Sequence, residues 1–187
     1  MAAPPPPTLA IVGYSGRGKT TLIEKLLPLL LSQGLRVAVV KHAPQERVAG
    51  PGNKDSERFW AAGAQAVCLA APDRLSWALR PGDFPQPWQL AAALPVDLVL
   101  VEGFKESCLP RILLVDNDPQ EALELAKGQQ VLAVLCPSGE LPGVPWPTLQ
   151  RDDLNRVAAL VFAWLKQAQS AQEGSCQPAA TGPPTPQ

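Results

Sequence analysis

The sequence predicts an α/β fold, a three-layer domain whose mostly parallel sheet is covered by helices on both faces. Three observations predict it. Several short segments are apolar throughout, as strands buried on both faces are. They alternate with segments of helical periodicity. A glycine-rich stretch, Gly13 to Thr20, joins the first such strand to the first helix. The chain has 187 residues, 46% of them hydrophobic and 18% charged, which suffices for one compact domain with a hydrophobic core.

Residues 1–7 end in four consecutive prolines and read as a disordered arm. Leu9 to Val12 read as a buried strand bounded by Gly13. From Lys19 to about Gln33 the pattern is helical, with Leu22, Ile23, Leu26, Leu27 and Leu30 on one face, Pro28 as a kink point and Gly34 as the stop. Arg36 to Val40 read as a second buried strand. Pro44, Gly50, Pro51 and Gly52 predict a mobile loop over residues 43–54. Asp55 to Ala62 predict a short helix stopped by Gly63, followed by strands at Ala66 to Ala70 and Leu75 to Leu79. A proline-rich turn at residues 81–87 and a short helix from Gln89 to Ala93 come next.

Asp97 to Val101 predict a strand ending at Glu102-Gly103. Two more strands are expected at Arg111 to Val115 and Val131 to Leu135, with a helix from Glu121 to Lys127 between them. Asp152 to Gln167 predict a closing amphipathic helix with Leu154, Val157, Ala158, Val161 and Leu165 on one face. From Ser170 onward Pro, Gly, Gln and Ala dominate. The domain is therefore placed at residues 8–167, with a disordered tail over 168–187.

Composition excludes several functions. The net charge of −1 leaves no basic excess for nucleic acid or an anionic membrane surface. No apolar run approaches the roughly 18 residues of a membrane span. Cys68, Cys108, Cys136 and Cys176 are far apart and hold no C-x-x-C pair, so no zinc or iron–sulfur site is expected. The first residues lack the positive region of a secretory signal, which predicts reduced thiols and a cytoplasmic protein. Cys68 and Cys136 lie in apolar runs and read as small core residues. Trp60, Trp77, Trp88, Trp146 and Trp164 are scattered and expected to pack.

The chemistry concentrates at Gly13-Tyr14-Ser15-Gly16-Arg17-Gly18-Lys19-Thr20, which matches the P-loop pattern G-x-x-x-x-G-K-[ST]. Glycines let the backbone turn tightly and bring N–H groups close to phosphate oxygens. The helix that begins near Lys19 points its positive end at the same anion. The Lys19 ammonium reaches the β and γ phosphates, and the Thr20 hydroxyl ligates Mg²⁺. The predicted nucleotide contacts are Gly13, Ser15, Gly16, Arg17, Gly18, Lys19, Thr20 and Thr21. For Arg17 the alternatives are charge neutralisation and simple solvation.

A carboxylate at the end of a neighbouring strand is needed to hold Mg²⁺ or position water. Glu102 closes its strand at the carboxyl edge, beside the ligand crevice of an open α/β sheet. Asp97 stands at the opposite end of that strand and reads as structural. Lys41 and the only histidine, His42, follow the second strand and reach the same edge. Asp55 opens the next helix, either as its cap or as a member of the magnesium shell. The catalytic candidates are thus Glu102 and Asp55, and the metal candidates Thr20 and Glu102.

In this order and spacing, GYSGRGKTTLIEKLLPLL (13–30), VVKH (39–42), KDSERFWAAGA (54–64) and DLVLVEGFK (97–105) resemble the molybdopterin-guanine dinucleotide biosynthesis adaptor (MobB) family. The resemblance covers about residues 9–115. It implies a homodimeric P-loop protein that binds GTP with Mg²⁺ and has weak GTPase activity at most. It further implies an adaptor role beside the guanylyltransferase that attaches a guanine nucleotide to molybdopterin, which the partner enzyme holds. Gly13, Gly16, Gly18, Lys19 and Thr20 would then bind phosphate and Mg²⁺, with Lys41, His42, Asp55 and Glu102 lining the site.

The sequence departs from the family where Ala43-Pro44-Gln45-Glu46-Arg47 replace further histidines and acids, and where Glu106-Ser107-Cys108 lack a histidine. No N-K-x-D guanine motif is present, so GTP follows from the resemblance. The alternatives are a small-molecule kinase, whose lid would need more arginines than Arg47, and a metallochaperone GTPase, which would need histidine or cysteine clusters. A partition-type ATPase would carry lysine where Tyr14 stands.

Overall fold

The computed structural model describes residues 4–43, 54–80 and 86–174, the side chains of 172–174 excepted. The expected loop at 43–54 and turn at 81–87 lie almost wholly outside these residues, as does Cys176. The chain divides into two compact units, one of residues 1–42 with 88–187 and one of residues 43–87.

The first unit is built on six parallel strands. They are β1 (Thr8–Val12), β2 (Val37–Lys41), β5 (Leu98–Glu102), β6 (Arg111–Leu114), β7 (Val131–Cys136) and β8 (Thr148–Gln150), in the order β2-β5-β1-β6-β7-β8. Alternate residues of a strand face opposite sides of its sheet. Leu9 and Ile11 of β1 therefore join Leu98, Leu100, Ile112 and Leu114 against α1 (Lys19–Ser32) and α5 (Leu154–Gly174). Ala10 and Val12 join Val99, Val101 and Leu113 against α4 (Pro119–Ala126), with residues of α3 (Pro87–Ala92) packed on the same cluster. Two apolar cores, one on each face, give the expected three layers.

The helices follow their sequence signals. α1 buries Leu22, Ile23, Leu26 and Leu30, accommodates an exposed Pro28, and stops where the Gly34 N–H donates to Leu31 O at 2.9 Å. α4 starts at Asp118, whose side chain accepts from the Gln120 N–H at 2.9 Å. In α5 the residues Val157, Ala158, Val161 and Leu165 are buried and Trp164 joins them, as the amphipathic pattern requires. That helix continues to Gly174, past the expected end at Gln167, because Ala, Gln and Ser tolerate helix and no proline intervenes. Pro7, placed in the N-terminal arm, is buried and accepts the Val99 N–H at 3.0 Å.

Four expectations change. β2 is not a buried strand: it forms one edge of the sheet, pairs only with β5, and leaves Val39 exposed. β3 (Ala66–Ala70) and β4 (Leu75–Leu79) do not enter the parallel sheet. They pair with each other antiparallel in the second unit, since the four-residue connection between them is too short for a parallel crossover. Cys68 and Trp77 on this two-stranded hairpin are exposed rather than core residues, because two strands enclose little interior. β8, only three residues long, gave no readable alternation.

Among the described residues the second unit also holds α2 (Lys54–Ala61), packed on β3, and Arg80, whose guanidinium lies 4.3 Å from the Trp60 ring centroid.

Candidate functional site

The loop between β1 and α1 is shaped by glycine at its two ends. A Cβ on Gly13 would lie 2.5 Å from the Leu114 carbonyl oxygen of β6, so no other residue fits there. Gly18, the N-cap of α1, has φ +82°, which L side chains rarely adopt. No side chain caps this helix and no acid stands in its first turn. Its leading N–H groups and positive dipole end are thus offered to an anion. Ser15, Gly16 and Thr21 are exposed on the loop and the first turn.

Lys19 folds back along the loop and its Nζ donates to the Tyr14 carbonyl at 2.8 Å. Burial holds the ammonium below its usual pKa. Glu102 opposes that shift, whereas Lys105 and Lys41 add to it. The Thr20 hydroxyl donates to Glu102 Oε1 at 2.9 Å. The sequence-predicted pair is therefore in contact, and the sheet explains why: β5 pairs with β1 in register Ile11 to Glu102. The Glu102 carboxylate is carried to the mouth of the loop while remaining buried.

β2 brings its own residues to the same edge. Lys41 is in register with Glu102, and the His42 N–H donates to Glu102 O at 3.0 Å. The His42 ring stacks on Phe104 with centroids 4.5 Å apart.

Arg17, still partly exposed, is engaged by acidic side chains rather than free in solvent. Its Nε and Nη2 form a fork on Glu121 at 2.9 and 3.0 Å, and its Nη1 pairs with Asp116. The Glu121 hydrogen bond leads the causes that raise its pKa. Tyr14 makes a parallel link, donating its hydroxyl to Glu124 Oε2 at 3.1 Å. The loop is thus fastened to α4 at two points. These acids lie on a helix whose sequence reads only as amphipathic, so nothing in their spacing marked them.

Asp97 holds Arg36 through two side-chain hydrogen bonds and one to the Arg36 N–H, which is the structural role expected of it. Those bonds lead the causes that lower its pKa. Asp55 belongs to the second unit, in the first turn of α2, where it pairs with Arg58 at 3.5 Å. Among the described residues no three His, Cys, Asp or Glu side chains cluster as a metal site, and no helix is long and apolar enough to cross a membrane.

A P-loop on a parallel sheet is common to many proteins, and comparison narrows the field. Residues 8–137 match the family model of MobB, described as molybdopterin guanine dinucleotide synthesis protein B. The chain belongs to the MobB family. Among its curated relatives is the molybdopterin-guanine dinucleotide biosynthesis adapter protein of Escherichia coli, 32% identical over 86% of this chain and 94% of the relative. The adapter protein of the same description from Haemophilus influenzae is 44% identical, over 58% of this chain and 62% of the relative.

Solved MobB structures have the same fold. A crystal structure of molybdopterin-guanine biosynthesis protein B superposes with a TM-score of 0.68 at 33% identity, covering 85% of this chain and 99% of that one. Bacillus subtilis MobB gives 0.68 at 26% identity, covering 84% and 96%. The KH, KDS and VEGFK segments thus fall within a matched MobB region, on β2 and its end, α2, and β5 with the loop after it.

Proposed function

We propose that this chain is a GTP-binding adaptor of molybdenum cofactor biosynthesis that assists the attachment of a guanine nucleotide to molybdopterin. The observation that carries the nucleotide part is the 2.9 Å contact between Thr20 and Glu102 at the mouth of the P-loop. It sets two oxygen donors suited to Mg²⁺ beside the loop that would cradle phosphate. The adaptor part is supported by family membership and by the names of the relatives.

In this reading Gly13, Ser15, Gly16, Gly18, Lys19, Thr20 and Thr21 hold the phosphates. Lys41 and His42 stand at the adjoining edge, and Arg17 braces the loop through Glu121 and Asp116. Thr20 and Glu102 would hold a magnesium ion, which would supply charge neutralisation for the bound phosphates. Glu102 also orients water for a slow hydrolysis, with Asp55 the second candidate for that role. The protein acts in the cytoplasm as a homodimer and engages the guanylyltransferase that carries molybdopterin.

Calorimetric titration with GTP and ATP, with and without Mg²⁺, tests the reading. Tight Mg²⁺-dependent GTP binding is expected, weakened in Lys19→Ala by about 2–4 kcal/mol, the worth of a charge-assisted contact in a partly desolvated site. An unchanged dissociation constant in Lys19→Ala, with the domain still folded, rules the site out. Preference for ATP rules out the guanine part alone.

A further inference from the structure

The loop after β5 carries a cation that the reading above leaves unused. Lys105 stands three residues beyond Glu102. The chain reaches it through two consecutive left-handed residues, Gly103 at φ +88° and Phe104 at φ +50°. A left-handed phenylalanine is strained and persists only where its surroundings hold it. Here they do, with His42 stacked on its ring and Trp88 edge-on at 5.1 Å. The backbone of Lys105 is fixed as well, since its carbonyl accepts Arg111 Nη1 at 3.1 Å.

The neighbouring acid is committed elsewhere, for Glu106 pairs with Lys127. Among the described residues the Lys105 ammonium has no carboxylate partner. It lies over the Tyr14 ring, 4.3 Å from the centroid.

Tyr14 is the second residue of the P-loop, and its carbonyl is the one that accepts Lys19 Nζ. Two ammonium groups therefore converge on one loop residue. Glu102 beside Lys19 offsets part of the repulsion between these like charges, and a bound anion would offset more. We propose that Lys105 is a ligand for the terminal phosphate of the bound nucleoside triphosphate. This deepens the nucleotide-binding reading and rests on it.

Position selects the terminal phosphate. Lys105 lies on the short loop that leaves β5 at Glu102. Glu102 is bonded to Thr20, the pair that would hold a magnesium ion and so mark the side of the charged terminal phosphate. The flexible four-carbon stem of lysine lets the ammonium leave an aromatic face while its backbone stays fixed. After burial, Lys105 is the largest cause that lowers the Lys19 pKa, with Lys41 behind it, so all three lysines act on one locale.

The test is a titration of the full chain and its Lys105→Ala, Lys105→Gln and Lys105→Arg variants with GTP and with GDP, each with Mg²⁺. Lys105→Ala and Lys105→Gln are expected to lose about tenfold in GTP affinity and less than twofold in GDP affinity, and Lys105→Arg to recover most of the loss. Equal losses for the two nucleotides would make Lys105 a general attractor of anions and overturn the proposal. Unchanged GTP affinity overturns it too. Thermal melting of each variant guards against loss of fold. Lys19→Ala, run alongside, separates the readings. If it loses GTP while Lys105→Ala does not, only the role of Lys105 fails; if neither variant loses GTP, the nucleotide site itself is wrong.

Discussion

Glu102 combines burial, a charge and a contact with Thr20, and each has a separate source. Burial comes from its place at the end of a fully covered central strand, and the contact from the parallel register with β1. The carboxylate accepts from the Thr20 hydroxyl and faces the charge of Lys19, and a divalent cation with oxygen ligands would compensate its burial further. On the proposed reading the backbone amides of the loop and Lys19 would supply most of the ground-state phosphate binding, and they remain when the charge of Glu102 is removed. Glu102→Gln is therefore expected to bind GTP nearly as the wild type does. Its single-turnover hydrolysis should fall tenfold or more, about 1.4 kcal/mol per factor of ten. The Lys19→Ala protein serves as the blank. Wild-type hydrolysis with unchanged Mg²⁺ dependence in Glu102→Gln would pass the role to Asp55.

At the scale of elements, α4 organises the site from beneath. Its Glu121 and Glu124 hold Arg17 and Tyr14, and its last turn is tied down by Arg111. Arg111 is fully buried at the start of β6, and among the described residues no carboxylate forms an ion pair with it, Glu106 acting on it only through its charge. Its guanidinium instead donates to the carbonyls of Lys105, Ser107 and Leu125, while burial pushes its pKa down. A planar fork suits this work and an ammonium does not. Arg111→Met would strand those carbonyls. The expected loss is about 2–4 kcal/mol of stability, read as a midpoint roughly 5–15 °C lower in thermal unfolding, with Arg111→Lys between it and the wild type. A midpoint within a degree of wild type would mean that water replaces the guanidinium.

Arg111 also marks the limit of what the sequence discloses. Periodicity reads strands that are buried on both faces, so β1, β5, β6 and β7 were legible, as was the P-loop that follows β1. The place of Glu102 followed from its position at a strand end. The acids of α4 were not legible, because an amphipathic helix shows which face is apolar and not what its polar face will meet. Nor was the edge position of β2, because Val39 and Val40 look the same in an interior strand as at an edge.

For the whole molecule, the division into two units predicts two levels of stability. The six-stranded sheet has central strands at zero exposure and a core on each face, so its amides open only when the unit unfolds. The second unit has one short helix and a hairpin whose Leu75, Trp77 and Cys68 are exposed. Two strands by themselves are marginal in water. Hydrogen exchange on the full chain should therefore find the amides of β1, β5 and β6 slowest, and those of β3 and β4 faster by orders of magnitude. GTP should add protection at Gly13 to Thr21 and leave the hairpin unchanged. Protection of the hairpin equal to that of the sheet would contradict an independent, weakly held unit and require a cover for its apolar face. If that protection grew with protein concentration, the cover would be a second copy of the chain. The proposed homodimer would then have an interface made by residues 66–79.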